Sequence, residues 1–68
     1  MKYKIWLNEI DEFTLTCNNQ YIQSFTWIAE ALVHIAEIEQ IDFEAKFSES
    51  YMLDVLTYNH GLQIEVID

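Results

Sequence analysis

The stretch from Ser24 to Gln40 places the strongest constraint on the fold of this chain. It contains no glycine or proline and is rich in helix formers. Its apolar residues recur at steps of three and four, which places them on one side of a helix: Trp27, Ile28, Ala31, Leu32, Ile35 and Ile38. An apolar stripe of this width has to be covered by other elements. The regions on either side of the stretch, which have strand-like patterns, are the only candidates.

The chain before this helix has the pattern of an antiparallel hairpin. Apolar and polar residues alternate over 2–8 and again over 13–17, which is typical of half-buried strands. The short acidic segment 9–12 between them favours an antiparallel pair. Asn18-Asn19 predicts a turn, because asparagine tolerates the left-handed backbone conformation. Residues 20–23 are either a short third strand or a lead into the helix, whose start Ser24 or Thr26 can cap.

The chain after the helix contains one ambiguous segment. Residues 41–48 alternate strictly and predict a strand. Residues 51–58 are interpreted as a strand, because Asn59-His60-Gly61 suits a hairpin and the residues from Leu62 to Val66 alternate directly afterwards. The alternative is a helix that is capped by Ser50 and stopped by Gly61, with an apolar stripe of Met52, Val55 and Leu56.

These elements predict a single α+β domain over residues 1–68. The expected architecture is a mostly antiparallel sheet of four to five strands with one helix, about 24–40, packed across one face in the order β-β-α-β-β(-β). The expected core on the covered face collects the inward positions of the strands: Tyr3, Ile5, Leu7, Phe13, Leu15, Phe43, Phe47, Leu53, Val55, Ile64 and Val66.

The charge balance argues against several kinds of partner. The chain carries twelve carboxylates against three lysines, a formal charge of −9, and has no arginine. It should therefore repel nucleic acids and anionic membranes, since binding phosphates needs lysine and arginine. A partner with a basic surface is favoured, because complementary fields speed encounter and fix orientation. The lone Cys17 and the lack of an apolar run of about 20 residues predict a soluble intracellular protein.

Residues that could carry catalysis are sparse. With Gly61 as its only glycine, the chain cannot form a glycine-rich phosphate loop. Cys17, His34 and His60 are too scattered in sequence to suggest a zinc site or a nucleophile with its base. The sequence therefore predicts no enzyme activity, no cofactor and no metal.

The carboxylates are better interpreted as a binding surface. Glu30 and Glu37 share the polar side of the predicted helix, about 10 Å apart. Asp42 and Glu44 share one side of the predicted strand, at a spacing of about 6.6 Å. The first turn adds three more carboxylates: Glu9, Asp11 and Glu12.

Several large apolar residues fall on the strand faces away from the expected core: Trp6, Met52, Leu56, Tyr58 and Ile67. A cluster of exposed aromatic residues favours a contact patch, so Trp6 and Tyr58 are candidate anchors for a partner. Self-association through this aromatic sheet face, as in a homo-oligomeric structural module, is the alternative function.

In its length, its acidity, its lack of motifs and its α+β pattern, the chain resembles the small phage-encoded inhibitors of bacterial defence. These include anti-CRISPR proteins and DNA-mimicking anti-restriction proteins. The family has no diagnostic motif that would transfer a role to a particular residue. The resemblance implies a cytoplasmic protein of the bacterial host cell that blocks a basic nucleic-acid-handling protein.

Overall fold

The computed structural model describes residues 1–42 and 48–67, which form an α+β fold. Its four strands are β1 (Lys2–Leu7), β2 (Phe13–Cys17), β3 (Gln20–Phe25) and β4 (Gln63–Ile67). They build one sheet in the order β3-β2-β1-β4. The helical layer consists of α1 (Ile28–Ile38) and α2 (Glu49–Asp54), and α2 continues as a π-helix over Val55–Asn59.

The register of the sheet separates the side chains into two faces. Tyr3 pairs with Cys17 and Ile64, and Ile5 pairs with Leu15 and Val66. Paired residues of neighbouring strands project to the same face. These residues therefore share the face covered by the helices, called here the helix face. Residues of the other parity form the open face, which no described helix covers.

The core lies between the helix face and the two helices. Its fully buried large side chains come from the two central strands and from both helices: Tyr3, Ile5, Leu15, Leu32, Ile35, Met52 and Leu56. Burial of each such side chain stabilises the fold by about 1.5–3 kcal/mol before the entropy cost is subtracted. Of the inward positions predicted for β1, β2 and β4, Tyr3, Ile5 and Leu15 are fully buried and Leu7 is half exposed. The others pack against the core while partly buried: Phe13, Ile64 and Val66.

The predicted helix is confirmed in type, but its limits are narrower than 24–40. Ser24 belongs to β3, and the N-cap of α1 is Trp27, so neither Ser24 nor Thr26 caps the helix. Glu30 supplies the cap instead. Its Oε1 accepts a hydrogen bond of 3.0 Å from the backbone N–H of Trp27. This is one half of a capping box, in which a glutamate at the third helical position bonds back to the N-cap.

The end of α1 explains why the helix stops before Gln40. Gln40 has a φ of 58°, in the left-handed region. The N–H of Ile41 donates to the carbonyl of Ala36 at 2.8 Å, and the N–H of Gln40 donates to the carbonyl of Glu37 at 3.2 Å. These two bonds are those of a Schellman motif, which most often carries glycine at the left-handed position.

Replacing Gln40 by Gly is expected to raise the free energy of unfolding by about 0.5–1 kcal/mol. The left-handed conformation costs a residue with a side chain about 1–2 kcal/mol, and the greater freedom of unfolded glycine offsets part of that gain. Urea denaturation at neutral pH measures the change. The matched variant Gln63→Gly, in β4, should destabilise the protein, so stabilisation by both variants would contradict this explanation of the helix end.

The strand predicted for residues 51–58 is wrong, because the segment is helical. Ser48, rather than the predicted Ser50, is the N-cap of α2, and its hydroxyl accepts a 3.2 Å hydrogen bond from the N–H of Tyr51. Met52 and Leu56 are fully buried one turn apart. The two apolar side chains therefore face the core at helical spacing, although alternation within the segment also fits a strand.

The connection after α2 corrects the predicted hairpin. The π-helix ends at Asn59, and Gly61, with a φ of 69°, turns the chain into β4. β4 then pairs with β1 in parallel, so Asn59-His60-Gly61 is not a hairpin turn and the sheet is mixed. The strand itself, predicted from the alternation of Leu62, Ile64 and Val66, is confirmed over Gln63–Ile67.

The predicted turn at Asn18-Asn19 is confirmed, and the ambiguous residues after it form a strand. Both asparagines have positive φ, 52° and 68°, as a type I′ hairpin requires. β3 extends over Gln20–Phe25 and is longer than the short strand considered for 20–23. Most of the strand predicted for 41–48 lies outside the described residues, which exclude 43–47.

A partly buried hydrogen bond connects the end of α1 to the sheet. The hydroxyl of Tyr3 donates to Oε2 of Glu39 at 2.5 Å, and Tyr3 is fully buried. Burial, followed by the hydrogen bond and the negative charge of Glu39, raises the pKa of Tyr3 well above its ordinary value of 10.0. The folded protein therefore holds the proton of the Tyr3 hydroxyl more tightly than the unfolded chain does.

Stability is expected to fall as the pH rises above about 10. In that range the unfolded chain loses the Tyr3 proton while the folded protein keeps it, so protons are taken up on folding. Below pH 10 both states are protonated and the contribution is complete. Between about pH 8 and about pH 11, the urea midpoint should decline less steeply with pH in Tyr3→Phe than in Tyr58→Phe. Equal slopes in the two variants would contradict the role of Tyr3.

Candidate protein-binding surface

The acidic turn between β1 and β2 is held by a side chain that the sequence analysis did not single out. Oδ1 of Asn8 accepts hydrogen bonds of 3.0 Å from the N–H groups of Ile10 and Glu12. Its Nδ2 donates to Oγ1 of Thr14 at 3.0 Å. The turn presents Glu9 and Asp11 to solvent, with Glu12 half-buried, so the predicted carboxylates occupy an ordered loop.

Large apolar side chains are exposed at the same end of the sheet. Leu7 pairs with Phe13, which pairs with Phe25, so the end of β3 lies beside the acidic turn. Trp27 follows two residues later and is 64% exposed, while Ile10 within the turn is 73% exposed. The name acidic end is used below for this set of residues: Leu7, Glu9, Ile10, Asp11, Glu12, Trp27 and Glu30.

A groove runs along the outer flank of α1, beginning at the acidic end. It has a volume of about 370 Å³ and is called here the α1 groove; it is lined by Phe25, Ala29, Glu30, Val33, His34 and Glu37. Phe25, at the end of the edge strand β3, contributes an aromatic wall. Ala29 and Val33 from α1 provide further apolar surface.

The α1 groove brings together two of the predicted acidic residues. Glu30 and Glu37 are both exposed and stand seven residues apart, about 10 Å along the helix axis. His34 lies between them, with its ring centroid 5.4 Å from that of Phe25. Its Nδ1 is 3.8 Å from Oε2 of Glu37. His34 is only partly exposed and forms part of the groove wall.

The two remaining acidic candidates, Asp42 and Glu44, follow α1 in the chain. Asp42 is exposed in the chain that follows α1 and does not belong to a strand. Glu44, with which Asp42 was predicted to share one side of a strand, lies outside the described residues. Neither residue is part of the acidic end or of the α1 groove.

The described lysines lie apart from most of the described carboxylates. Lys2 and Lys4, the lysines within the described part of the chain, belong to the open face by their parity in β1. Among the carboxylates of residues 1–42 and 48–67, Glu65 alone shares that face, as the register partner of Lys4. The others lie in the acidic turn, in the helices or directly after them: Glu9, Asp11, Glu12, Glu30, Glu37, Glu39, Asp42, Glu49 and Asp54.

The aromatic patch predicted from the strands is divided by the fold. Trp6 and Ile67 do share the open face, where they pair in register. The prediction that Met52 and Leu56 face away from the core is wrong, because both side chains are buried in it. Tyr58 is 84% exposed, but it belongs to the π-helix and hence to the helical layer. Trp6 and Tyr58 therefore do not form one surface.

The residues considered for catalysis remain apart in the structure. Cys17 is half-buried at the end of β2, where its thiol is 3.7 Å from the sulfur of Met1, and His60 is exposed after the π-helix. Within residues 1–42 and 48–67, no group of three or more histidine, cysteine or carboxylate residues could hold a metal ion. No helix in this part of the chain is long and apolar enough to cross a membrane.

Sequence reasoning missed the apolar residues of this surface. Trp27 was placed in the buried stripe of the helix, yet it precedes the first helical residue and therefore points away from the core. The signal that could have found it is its position three residues before Glu30, which has the spacing of a capping box. Comparison with known proteins adds no further indication, since no family model, curated protein or solved structure matches the chain.

Proposed function

We propose that the protein is a non-enzymatic inhibitor that binds a basic, nucleic-acid-handling protein, such as a bacterial defence effector, in the cytoplasm of the bacterial host cell. The acidic end and the α1 groove form the contact surface. Binding there blocks the positively charged site that the partner uses for nucleic acid.

The separation of the described lysines from the carboxylates of the turn and of α1 is the observation that carries this proposal. Lys2 and Lys4 stand on the open face, while the carboxylates of the turn and of α1 have no lysine beside them among the described residues. Their field therefore adds up on one side of a small domain instead of being cancelled locally. Such a field raises the rate of encounter with a cationic surface and orients it.

The exposed apolar residues favour a protein partner with a defined binding site. A surface that served only solubility would not be expected to expose large apolar side chains, because exposed apolar patches favour association. The acidic end exposes three of them: Leu7, Ile10 and Trp27. Protein interfaces typically combine an apolar centre with a charged rim, and tryptophan is enriched among their strongest contacts. The acidic end has this composition.

Affinity capture from a lysate of the bacterial host tests the proposal. The tagged protein should retain a nucleic-acid-handling protein at low salt, and most of it should be released at higher ionic strength, since exposed charges are screened over about 8 Å in physiological salt. Nucleic acid added in excess should compete for the captured protein. Capture of proteins without basic surfaces, or binding that ignores both salt and nucleic acid, would contradict charge-based blocking.

The alternative function, a homo-oligomeric structural or assembly module, is favoured by one observation. The open face carries the half-buried Trp6 together with two exposed side chains, Ile67 and the 65% exposed Tyr21. Sedimentation at several concentrations separates the two functions. A tight dimer that becomes monomeric in Trp6→Ala would support the assembly module, whereas a monomer at all concentrations would leave only the inhibitor.

A further inference from the structure

The α1 groove combines partly exposed apolar side chains with two carboxylates. Phe25, Ala29 and Val33 are only partly buried, so the groove exposes apolar surface to solvent. Its volume of about 370 Å³ is at the lower end of the range of ligand pockets, about 300–1,000 Å³. It therefore has room for one long side chain and its neighbours on a partner, but not for an extended ligand.

The negative charge around the groove favours a positively charged group as its occupant. Glu30 stands at one end of the groove and Glu37 at the other. Among the described residues neither has a lysine within 4 Å, and Oε2 of Glu37 lies 3.8 Å from Nδ1 of His34. Glu30 uses Oε1 to cap α1, which leaves its Oε2 for another donor. A cationic group between the two carboxylates would be attracted from both ends, while an anion would be repelled.

The aromatic wall distinguishes between the two long cationic side chains. A guanidinium group stacks on an aromatic ring and donates to a carboxylate in the same plane, whereas an ammonium group is a compact, strongly hydrated charge. In the groove, Phe25 provides the ring and Glu30 and Glu37 provide the carboxylates. The methylene stem of an arginine would cover the apolar surface of Ala29 and Val33.

We infer that the α1 groove binds an arginine side chain of the partner protein, with its stem on Ala29 and Val33, its guanidinium group against the ring of Phe25, and its charge held by Glu30 and Glu37. This inference rests on the proposed function and makes it more specific, because it names one anchoring contact within the larger acidic surface. It also predicts that a basic partner rich in lysine but lacking a suitably exposed arginine binds less tightly.

Titration of the full chain with short capped peptides, followed by NMR, tests the inference. The probe is a five-residue peptide with a central arginine between leucine and alanine residues, and the matched probes carry lysine or citrulline at that position. Citrulline has nearly the shape of arginine without its charge. The arginine peptide should shift the amide signals of Phe25, Ala29, Val33 and His34. It should bind about tenfold more tightly than the citrulline peptide, because a charge-assisted hydrogen bond is lost.

Two variants of equal charge locate the contact. Glu30→Gln/Glu37→Gln should weaken arginine-peptide binding about tenfold or more, and glutamine at position 30 can still cap α1. Asp54→Asn/Glu65→Gln removes the same charge elsewhere and should change binding less than about twofold. Phe25→Leu should remove the preference for arginine over lysine.

The outcomes separate the groove from the broader function. Signal shifts confined to Glu9–Glu12, or equal binding of arginine and citrulline peptides, would overturn the arginine site while leaving the acidic inhibitor intact. Equal losses in the two double variants would overturn it as well, since they would show that net charge alone matters. Failure of the proposed function would appear separately, as the absence of a captured basic protein from the lysate.

Discussion

Replacing Met52 by Ala is expected to lower the free energy of unfolding by about 2–5 kcal/mol, because the side chain is fully buried and its removal leaves a cavity. The protein has 68 residues, and a domain of this size has little stability to spare, so partial unfolding at room temperature is expected. Chemical denaturation of both proteins, followed by tryptophan fluorescence, measures the difference.

The matched variant Tyr58→Ala should change stability by less than about 0.5 kcal/mol, as is usual for exposed positions. Tyr58 lies six residues after Met52 in the same helical segment, but it is almost entirely exposed. A strand in this segment would place both residues on one face and give them similar effects. Comparable losses in Met52→Ala and Tyr58→Ala would therefore contradict the helical assignment.

Replacing Trp27 by Ala is expected to weaken binding of the captured partner by about 2 kcal/mol, which is about a thirtyfold increase in Kd. The side chain is 64% exposed in the free protein, so the free energy of unfolding should be nearly unchanged. Its large apolar surface becomes useful only when a partner covers it. Isothermal titration calorimetry with the purified partner measures the change.

Tyr21→Ala provides the control for this second prediction. Tyr21 is 65% exposed, almost the same fraction as Trp27, but it stands on the open face of the sheet. It should leave partner binding within about twofold of the original affinity. A loss on Tyr21→Ala with none on Trp27→Ala would place the partner on the open face and would support the assembly function instead.

The sequence predicted much of the fold because local patterns and tertiary packing agree there. Alternation identified the strands β1, β2 and β4, and the spacing of Ala31, Leu32 and Ile35 identified the buried side of α1. The turn at Asn18-Asn19 was predicted from the tolerance of asparagine for positive φ. At each of these places a single periodicity fits the residues.

The sequence failed where two periodicities fit the same residues. Met52 and Leu56 stand four residues apart, a spacing that places them on one face of a helix and equally on one face of a strand. The choice between the two depends on whether β4 returns as a hairpin or crosses over to pair with β1 in parallel, and no local signal reports that choice. The long-range pairing of β4 with β1 therefore determines the secondary structure of residues 51–58.

The candidate surface could be predicted only in part. Its charges were predicted, since Glu9, Asp11, Glu30 and Glu37 are exposed where helix and turn patterns placed them. Its apolar members were not, because Trp27 and Phe25 lie at the junction of β3 and α1, where the exact start of the helix decides which side chains point outward. A groove between two elements arises only from their packing.

The most direct test of the account is the affinity of the captured partner for two variants that each remove two negative charges. Glu9→Gln/Asp11→Asn removes two of the four carboxylates of the acidic end, and Asp54→Asn/Glu65→Gln removes two exposed carboxylates elsewhere. We predict that the first variant binds at least about tenfold more weakly at low salt, while the second stays within about twofold of the original Kd. Equal affinities for the two variants would contradict the claim that one acidic side of the molecule carries its function.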